Sequence, residues 1–411
     1  MTRKILIIED APTIARVQKH IAHKVGFEAD IATSLAEAKQ LIAENNYFCA
    51  VVDFILPDAP NGEAIPCSVD ADIPTIVMTG NLDEKTRNTV EKHPIIDYIT
   101  KENKQAYQYL EKQLTRLPRN EQILVLVVDD SPATRRHICN LLARHKYQVI
   151  EAVDGVDALR VLAENPSISV IITDNEMPNM NGDQLCVEIR RLYNNDEKAI
   201  IGISAQDTLH LSTRFLKSGA DDYLSKPFNN EEFYCRLSQN VDMLENIKTI
   251  RLQANTDYLT SLPNRRYFFG EASQHLKAAH AAKKSVSLGM IDIDYFKSIN
   301  DKYGHDSGDD VLKCLSRCLL KYFKDNLVGR LGGEEFAVFF ADNDPQQAQQ
   351  RLEKFRHFIE KHSAEFSRDN ITFTLSIGFH NGPVYSIDEL IKQADLKLYQ
   401  AKETGRNKLV S

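Results

Sequence analysis

Two acidic pairs follow directly on short apolar runs: Glu9-Asp10 after Ile5-Leu-Ile-Ile8, and Asp129-Asp130 after Leu124-Val-Leu-Val-Val128. Downstream of each, in the same order, come a lone aspartate (Asp53, Asp174), a hydroxyl residue (Thr79, Ser204) and a lysine (Lys101, Lys226). Carboxylates held close together bind a hard cation such as Mg2+. A lone aspartate beside them can accept a phosphoryl group, and an ammonium and a hydroxyl can then steady its oxygens. A single aspartate after a strand is more often a helix N-cap or a turn former. The same five positions occurring twice are not accounted for that way. A third acidic set lies further on: Asp292 ends the apolar run Val286 to Ile291, and Glu334-Glu335 follow Gly332-Gly333. These carboxylates suit Mg2+ with phosphate oxygens completing the shell. The nearby glycines of Gly304-His-Asp-Ser-Gly308 would let backbone amides approach a polyphosphate, although no Gly-Lys-Ser/Thr follows to make a P-loop.

The elements that must position these groups are legible in outline. Ile5 to Ile8, Ala50 to Val52, Thr75 to Met78 and Tyr98 to Thr100 read as buried parallel strands, and Leu35, Ala38, Leu41 and Ile42 mark one helix face. In doubly wound α/β folds the chemistry gathers at the carboxyl ends of the strands, where Asp10, Asp53, Thr79 and Lys101 all fall. The pattern recurs from Leu124 with a period far longer than the roughly 20 to 50 residues of a solenoid, so it marks two copies of one domain. Leu117-Pro118-Arg119-Asn120 is expected to be a break after the helical stretch Gln105 to Leu114, at the junction between the copies. From Glu231 to about Asn255 no Pro or Gly intervenes, and Phe233, Leu237, Val241, Leu244 and Ile247 form a coiled-coil-like stripe, expected to be a dimer or interdomain contact rather than only the last core helix of the second copy. Gly332-Gly333 predicts a two-residue hairpin turn with positive φ at both glycines.

With 411 residues, 43% apolar and 26% charged, the chain is expected to hold three folded domains. Lys plus Arg is 50 against Asp plus Glu 58, a net charge of −8, which argues against nonspecific binding of nucleic acid or anionic membranes. Seven scattered cysteines without a Cys-x-x-Cys pair fit reduced thiols, and no stretch reads as a secretory signal or membrane span. The expectation is a soluble cytoplasmic protein.

Residues 1 to 120 and 122 to 245 resemble the receiver domain of two-component response regulators. The resemblance implies that Asp53 and Asp174 are phosphoacceptors. Glu9, Asp10, Asp129 and Asp130 would bind one Mg2+ per receiver, with the main-chain carbonyls of Ile55 and Glu176, and Thr79, Lys101, Ser204 and Lys226 would read the phosphate. The first copy departs in three ways: Lys101 precedes Glu102 where Lys226 precedes Pro227, the interval from Asp53 to Gly62 is longer than that from Asp174 to Gly182, and the interval from Asp53 to Thr79 is shorter than that from Asp174 to Ser204.

Asp257-Tyr-Leu-Thr-Ser-Leu-Pro-Asn-Arg-Arg266, Asp292-Ile-Asp-Tyr-Phe-Lys297 with Asn300, Gly332-Gly-Glu-Glu-Phe336 and Ala401-Lys-Glu-Thr-Gly-Arg-Asn407 occur in that order. Together they look like the GGDEF diguanylate cyclase family, which joins two GTP into cyclic di-GMP and pyrophosphate across an antiparallel homodimer. By that resemblance Asp292, the Ile293 carbonyl, Glu334 and Glu335 bind two Mg2+ ions, Glu334 is a general base and Lys297 stabilises the transferring phosphate. Asn300 and Asp309 would read guanine, with His305 near the substrate and Lys402 and Arg406 on the triphosphate. The expected fold is α/β: two doubly wound (βα)5 receivers, residues 1–120 and 121–245 with a linking helix to about 255, then an α/β GGDEF nucleotide-cyclase-like domain at 256–411. The implied partners are GTP, a histidine kinase or phosphotransfer protein, and a second copy of the chain. A non-catalytic adaptor binding GTP or cyclic di-GMP is the alternative; a DNA-binding output is disfavoured by the acidic charge and by the lack of a helix-turn-helix. Many family members carry Arg-x-x-Asp before the two glycines, where product binds and inhibits. Here that window reads Phe323-Lys-Asp-Asn326, so this inhibitory site is expected to be absent.

Overall fold

Strand side chains alternate between faces, so a run that is apolar throughout must be covered on both sides. That is the situation of the first sheet: Ile5, Ile7, Val51, Ile76 and Met78 enter one core while Leu6, Ile8, Ala50, Val52 and Val77 enter the other. The computed structural model describes residues 3–80, 83–101, 104–205, 209–282, 284–341, 344–367, 369–382 and 386–411, so Glu102 lies outside the described residues. The chain divides into two compact units, Met1–Ile247 and Lys248–Ser411.

The first copy comprises β1 (Lys4–Ile8), α1 (Pro12–Lys24), β2 (Glu28–Ala32), α2 (Leu35–Glu44), β3 (Cys49–Asp53), α3 (Ala64–Val69), β4 (Thr75–Thr79), α4 (Glu84–Val90), β5 (Asp97–Thr100) and α5 (Lys104–Asn120). Its parallel sheet has the order β2-β1-β3-β4-β5. The second copy repeats it as β6 (Leu124–Val128), α6 (Pro132–Arg144), β7 (Gln148–Ala152), α7 (Gly155–Glu164), β8 (Ile168–Asp174), α8 (Gly182–Leu192), β9 (Ala199–Ser204), α9 (Leu209–Lys217), β10 (Asp222–Ser225) and α10 (Asn230–Asn255). Its sheet order, β7-β6-β8-β9-β10, is the same.

Two expectations are corrected here. Pro118 does not break the chain: α5 runs through it to Asn120. Proline costs about 3 kcal/mol in a helix interior, and the burial of Leu110, Leu114 and Leu117 on one face of α5 offsets it. Four of the five stripe residues on α10 belong to the second copy's core: Phe233, Leu237, Val241 and Leu244 pack beneath β6, β8 and β9 with Val127, Ile172 and Ile201, so they cannot also be a free coiled-coil seam, while Ile247 is half-buried outside that core. A different face of α10 lies against the α4, β5 and α5 side of the first copy. There the Tyr98 hydroxyl bonds Glu231, Lys112 pairs with Asp242 at 3.1 Å, Arg116 also pairs with Asp242, and His145 Nε2 meets the Ile96 carbonyl at 3.0 Å. The His145 ring stacks on Tyr234, centroids 3.7 Å apart.

The second unit contains α11 (Arg265–Ala281), β11 (Val286–Ile293), α12 (Phe296–Tyr303), α13 (His305–Tyr322), β12 (Leu327–Gly332), β13 (Glu335–Ala341), α14 (Pro345–Phe366), β14 (Leu375–His380), α15 (Ile387–Glu403) and β15 (Leu409–Val410). Its sheet order is β12-β13-β11-β14-β15, with β11 central and antiparallel to both neighbours. Among the described residues no helix is long and apolar enough to cross a membrane.

Candidate functional sites

In both copies the reactive side chains stand where parallel strands end. The register that brings them together is the same: the amide of Lys101 donates to the Thr79 carbonyl and that of Lys226 to the Ser204 carbonyl, both at 2.7 Å. Thr79 and Ser204 are each buried at the end of the strand beside the lone aspartate. In the first copy Lys101 Nζ bridges Glu9 Oε2 at 2.7 Å and Asp53 Oδ2 at 2.8 Å. Glu9, Asp10 and Asp53 each offer an oxygen within 4.8 Å of the others. Burial raises the Glu9 carboxyl above its usual range, although the Lys101 ammonium opposes it, and Glu9 Oε1 is buried without a hydrogen-bond partner. An all-oxygen donor set with a buried orphan oxygen fits a hard cation. Gln18, on α1, also donates to Glu9 Oε2 at 3.2 Å, a contact the sequence pattern did not single out.

In the second copy Lys226 Nζ takes the same place, 2.8 Å from Asp129 Oδ2 and 2.6 Å from Asp174 Oδ1. Burial lifts the Asp174 carboxyl, with Lys226 acting against it and Asp129 with it. Burial works to lower the Lys226 ammonium, but its bonds to Asp129 and Asp174 leave it raised. Arg135, on α6, donates to the Asp129 carbonyl at 2.7 Å and braces the acidic turn. Asp130 follows Asp129 on that turn and is exposed.

The third site gathers on β11 and the β12–β13 hairpin. Asp292 is paired in register with Glu335, so both side chains share a face of the sheet. The hairpin is displaced from expectation: β12 extends to Gly332, a register shift separates Arg330 from Gly332, and the turn is Gly333-Glu334 with positive φ, +48°, at Gly333. The shift places Glu334 at the turn itself and leaves Glu335 opening β13 opposite Asp292. Burial pushes Asp292 up to about 6, Lys402 opposes this from 2.7 Å, and Glu334 and Glu335 add to it. The main chain continues through the buried Ile293 to Asp294.

The remaining residues divide. Arg406, just beyond α15, lays its guanidinium 4.5 Å from the Tyr295 ring centroid. Asn300, on α12, lies where only a glycine leaves it room: a Cβ at Gly308 would stand 1.9 Å from Asn300 Oδ1, so Gly308 lets α13 approach α12 closely. Asp309 is half-buried one residue on, while Lys297 and His305 stand exposed at the starts of α12 and α13. Phe323, where an inhibitory-site arginine would be, is fully buried against Phe340 and Phe355.

A family model described as response regulator receiver domain matches residues 5–111 and 125–238, and one described as diguanylate cyclase, GGDEF domain, matches residues 254–408. The chain is 30% identical over 298 residues to the response regulator PleD of Caulobacter vibrioides, covering 70% of this chain and 65% of that relative's length. It is 34% identical over 160 residues to diguanylate cyclase A of Treponema denticola, 38% of this chain and 43% of the relative. A solved structure described as a putative two-component system response regulator/GGDEF domain protein superposes with a TM-score of 0.53 at 38% identity, covering 59% of this chain and 99% of that one.

Proposed function

The chain belongs to the response regulator receiver family, with two receiver segments ahead of a GGDEF segment, and from that premise we propose that it is a phosphorylation-controlled diguanylate cyclase, joining two GTP into cyclic di-GMP and pyrophosphate. The observation that carries the reading is Asp292 paired in register with Glu335 on one face of the sheet, with Glu334 on the adjoining turn and Lys402 2.7 Å from Asp292. Such a donor set fits Mg2+, which when bound supplies charge stabilisation at the transferring phosphate. Asp292, the Ile293 carbonyl, Glu334 and Glu335 would hold two ions in the cyclase, and Glu9, Asp10, Asp129 and Asp130 one in each receiver.

The residues of the chain then divide the work. Glu334, on the turn, takes the proton of the attacking 3′-hydroxyl, and Lys297 offsets charge on the transferring phosphate. Lys402 and Arg406 bind the triphosphate, and Asn300 and Asp309 read guanine edges, with His305 at the rim. One GGDEF domain holds one GTP, so the reaction requires a second copy of the chain. Phosphoryl transfer to Asp174 from a histidine kinase or phosphotransfer protein controls that meeting in the cytoplasm, with Asp53 a further phosphoacceptor of lesser weight and Thr79, Ser204, Lys101 and Lys226 contacting the phosphate. Helix α10 is rooted in the second receiver's core and runs to Asn255, which supports it as the transmitting element.

The test is synthesis of cyclic di-GMP from GTP and Mg2+ with acetyl phosphate as donor. Product from wild type and none from Glu334→Ala is expected; unchanged signalling output in cells carrying Glu334→Ala would favour the adaptor reading. The buried Phe323 supports the absence of the upstream inhibitory site. Tight product inhibition relieved by substitutions across Phe323 to Asn326 would overturn that part.

A further inference from the structure

Two aspartates lie one residue apart at the end of β11, and the structure gives them opposite surroundings. Asp292 faces Lys402 and the two glutamates. Asp294, equally buried, is saturated by the chain itself: Oδ1 accepts the Ser376 hydroxyl at 2.6 Å, and Oδ2 accepts the Thr374 hydroxyl at 2.6 Å and the Asn407 amide at 3.0 Å. Its own amide donates to the Thr374 carbonyl at 3.0 Å. A carboxylate with both oxygens so engaged has little left to offer a cation, and its bonds to two hydroxyls and an amide are of the strong, charge-assisted kind.

What it holds is a conformationally costly turn. Gly405, Arg406 and Asn407 all have positive φ, at +112°, +60° and +45°. The left-handed region costs a non-glycine residue on the order of 1–2 kcal/mol, so consecutive residues persist there only where contacts compel them. Besides the Asp294 bond to its amide, Asn407 donates from Nδ2 to Glu360 at 2.6 Å and accepts from Arg356, both on α14. The turn so fixed ends α15, which carries Lys402 to Asp292, and it sets Arg406 over Tyr295, the residue next to Asp294.

We infer that Asp294 is a positioning residue for substrate binding: by fixing the Gly405–Asn407 turn it presents Arg406 to the triphosphate. This rests on the reading of Arg406 as a GTP ligand, and the experiment separates the two. Initial rates against GTP at saturating Mg2+, and equilibrium binding of a non-reactive GTP analogue, are measured on the full chain for Asp294→Ala, Asp294→Asn, Arg406→Ala and the Asp294→Ala/Arg406→Ala pair. Asp294→Ala is expected to raise KM and the analogue Kd about tenfold with little change in kcat, as loss of a charge-assisted contact would. Asp294→Asn, which keeps an acceptor for the Asn407 amide, recovers most of that. The pair is no worse than Arg406→Ala alone, because both act through one contact.

A generally weakened domain would instead lower kcat and give multiplying losses, and that result overturns the inference, as does an unchanged KM in Asp294→Ala. If Arg406→Ala itself leaves KM and Kd unchanged, the reading of Arg406 fails. If Arg406→Ala raises both while Asp294→Ala does not, only the latch fails. Should Asp294→Ala not fold, the Thr374→Val/Ser376→Ala pair loosens the same carboxylate and is judged by the same KM criterion.

Discussion

The two receiver copies share their reactive centres and differ around them. Lys101 and Lys226 each bridge an acidic-pair residue and the lone aspartate, and in each copy the amide after the lone aspartate donates to the neighbouring strand, Phe54 to Met78 and Asn175 to Ile203. The periphery has diverged. Helix α3 has six residues and no side-chain cap, whereas α8 has eleven and a full capping box between Asn181 and Gln184. The shorter helix accounts for the reduced spacing from Asp53 to Thr79, and the extra residue before Gly62 lies in the loop closed by the Leu56–Ala59 bridge. On the strand carrying the lysine, Tyr98 reaches out to Glu231 of the second copy, while the equivalent Tyr223 turns its ring toward Phe215 of its own. The same lysine bridge thus sits in two settings: the first copy presents its α4, β5 and α5 side to its neighbour, and the second owns the helix that leaves the unit.

The largest expected effect follows from that asymmetry. Asp174→Asn should abolish stimulation of cyclic di-GMP synthesis by acetyl phosphate, and Asp53→Asn should leave most of it; equal losses, read as product formed per minute, would break the distinction. Next comes the contact between copies. Arg116 is nearly buried and pairs with the partly exposed Asp242, so Asp242→Ala leaves a buried guanidinium short of its partner at a cost of about 2 kcal/mol in urea unfolding.

His145 gives an effect of similar size that pH should reveal. Burial depresses its imidazole from 6.5 to about 3, against the pull of the Ile96 carbonyl. The unfolded chain gains a proton as pH falls below 6.5 and the folded chain does not, so the contribution is complete above that value and is lost on the way down to 3. By about pH 5 the loss should be about 2 kcal/mol at roughly 1.4 kcal/mol per pH unit. A His145→Gln variant should lack this slope in paired unfolding curves. The smallest effect belongs to the exposed Tyr98–Glu231 contact. Glu231→Ala should cost under about 1 kcal/mol, and a larger loss would mean that this bond carries the coupling between the copies.

Strands buried on both faces were readable because an unbroken apolar run is their direct signature. The edge strands β2 and β7, written Glu-Ala-Asp-Ile-Ala and Gln-Val-Ile-Glu-Ala, were not, since one side of each faces solvent and polar residues dilute the pattern. The stripe on α10 was visible, but periodicity states that a face is apolar and not what covers it. The hairpin moved by one residue because a register shift at Arg330 to Gly332 has no marker beyond a glycine pair that fits either alignment. Site residues carried by family motifs could be named. Gln18 and the role of Asp294 could not: Gln18 lies outside every motif, and Asp294 acts on Asn407, 113 positions away.

Helix α10 also carries a constraint of phase. Each residue of an α-helix advances the azimuth by about 100°, so inserting one residue after Asp242 would turn everything beyond it by more than a quarter circle, whereas seven residues would restore the orientation to within about 20°. One unbroken helix roots in the core through Phe233, Leu237, Val241 and Leu244, meets the first copy through Glu231 and Asp242, and continues to Asn255. The direction in which the last turns of α10 leave the second copy's core is therefore set by the exact count of residues beyond Asp242.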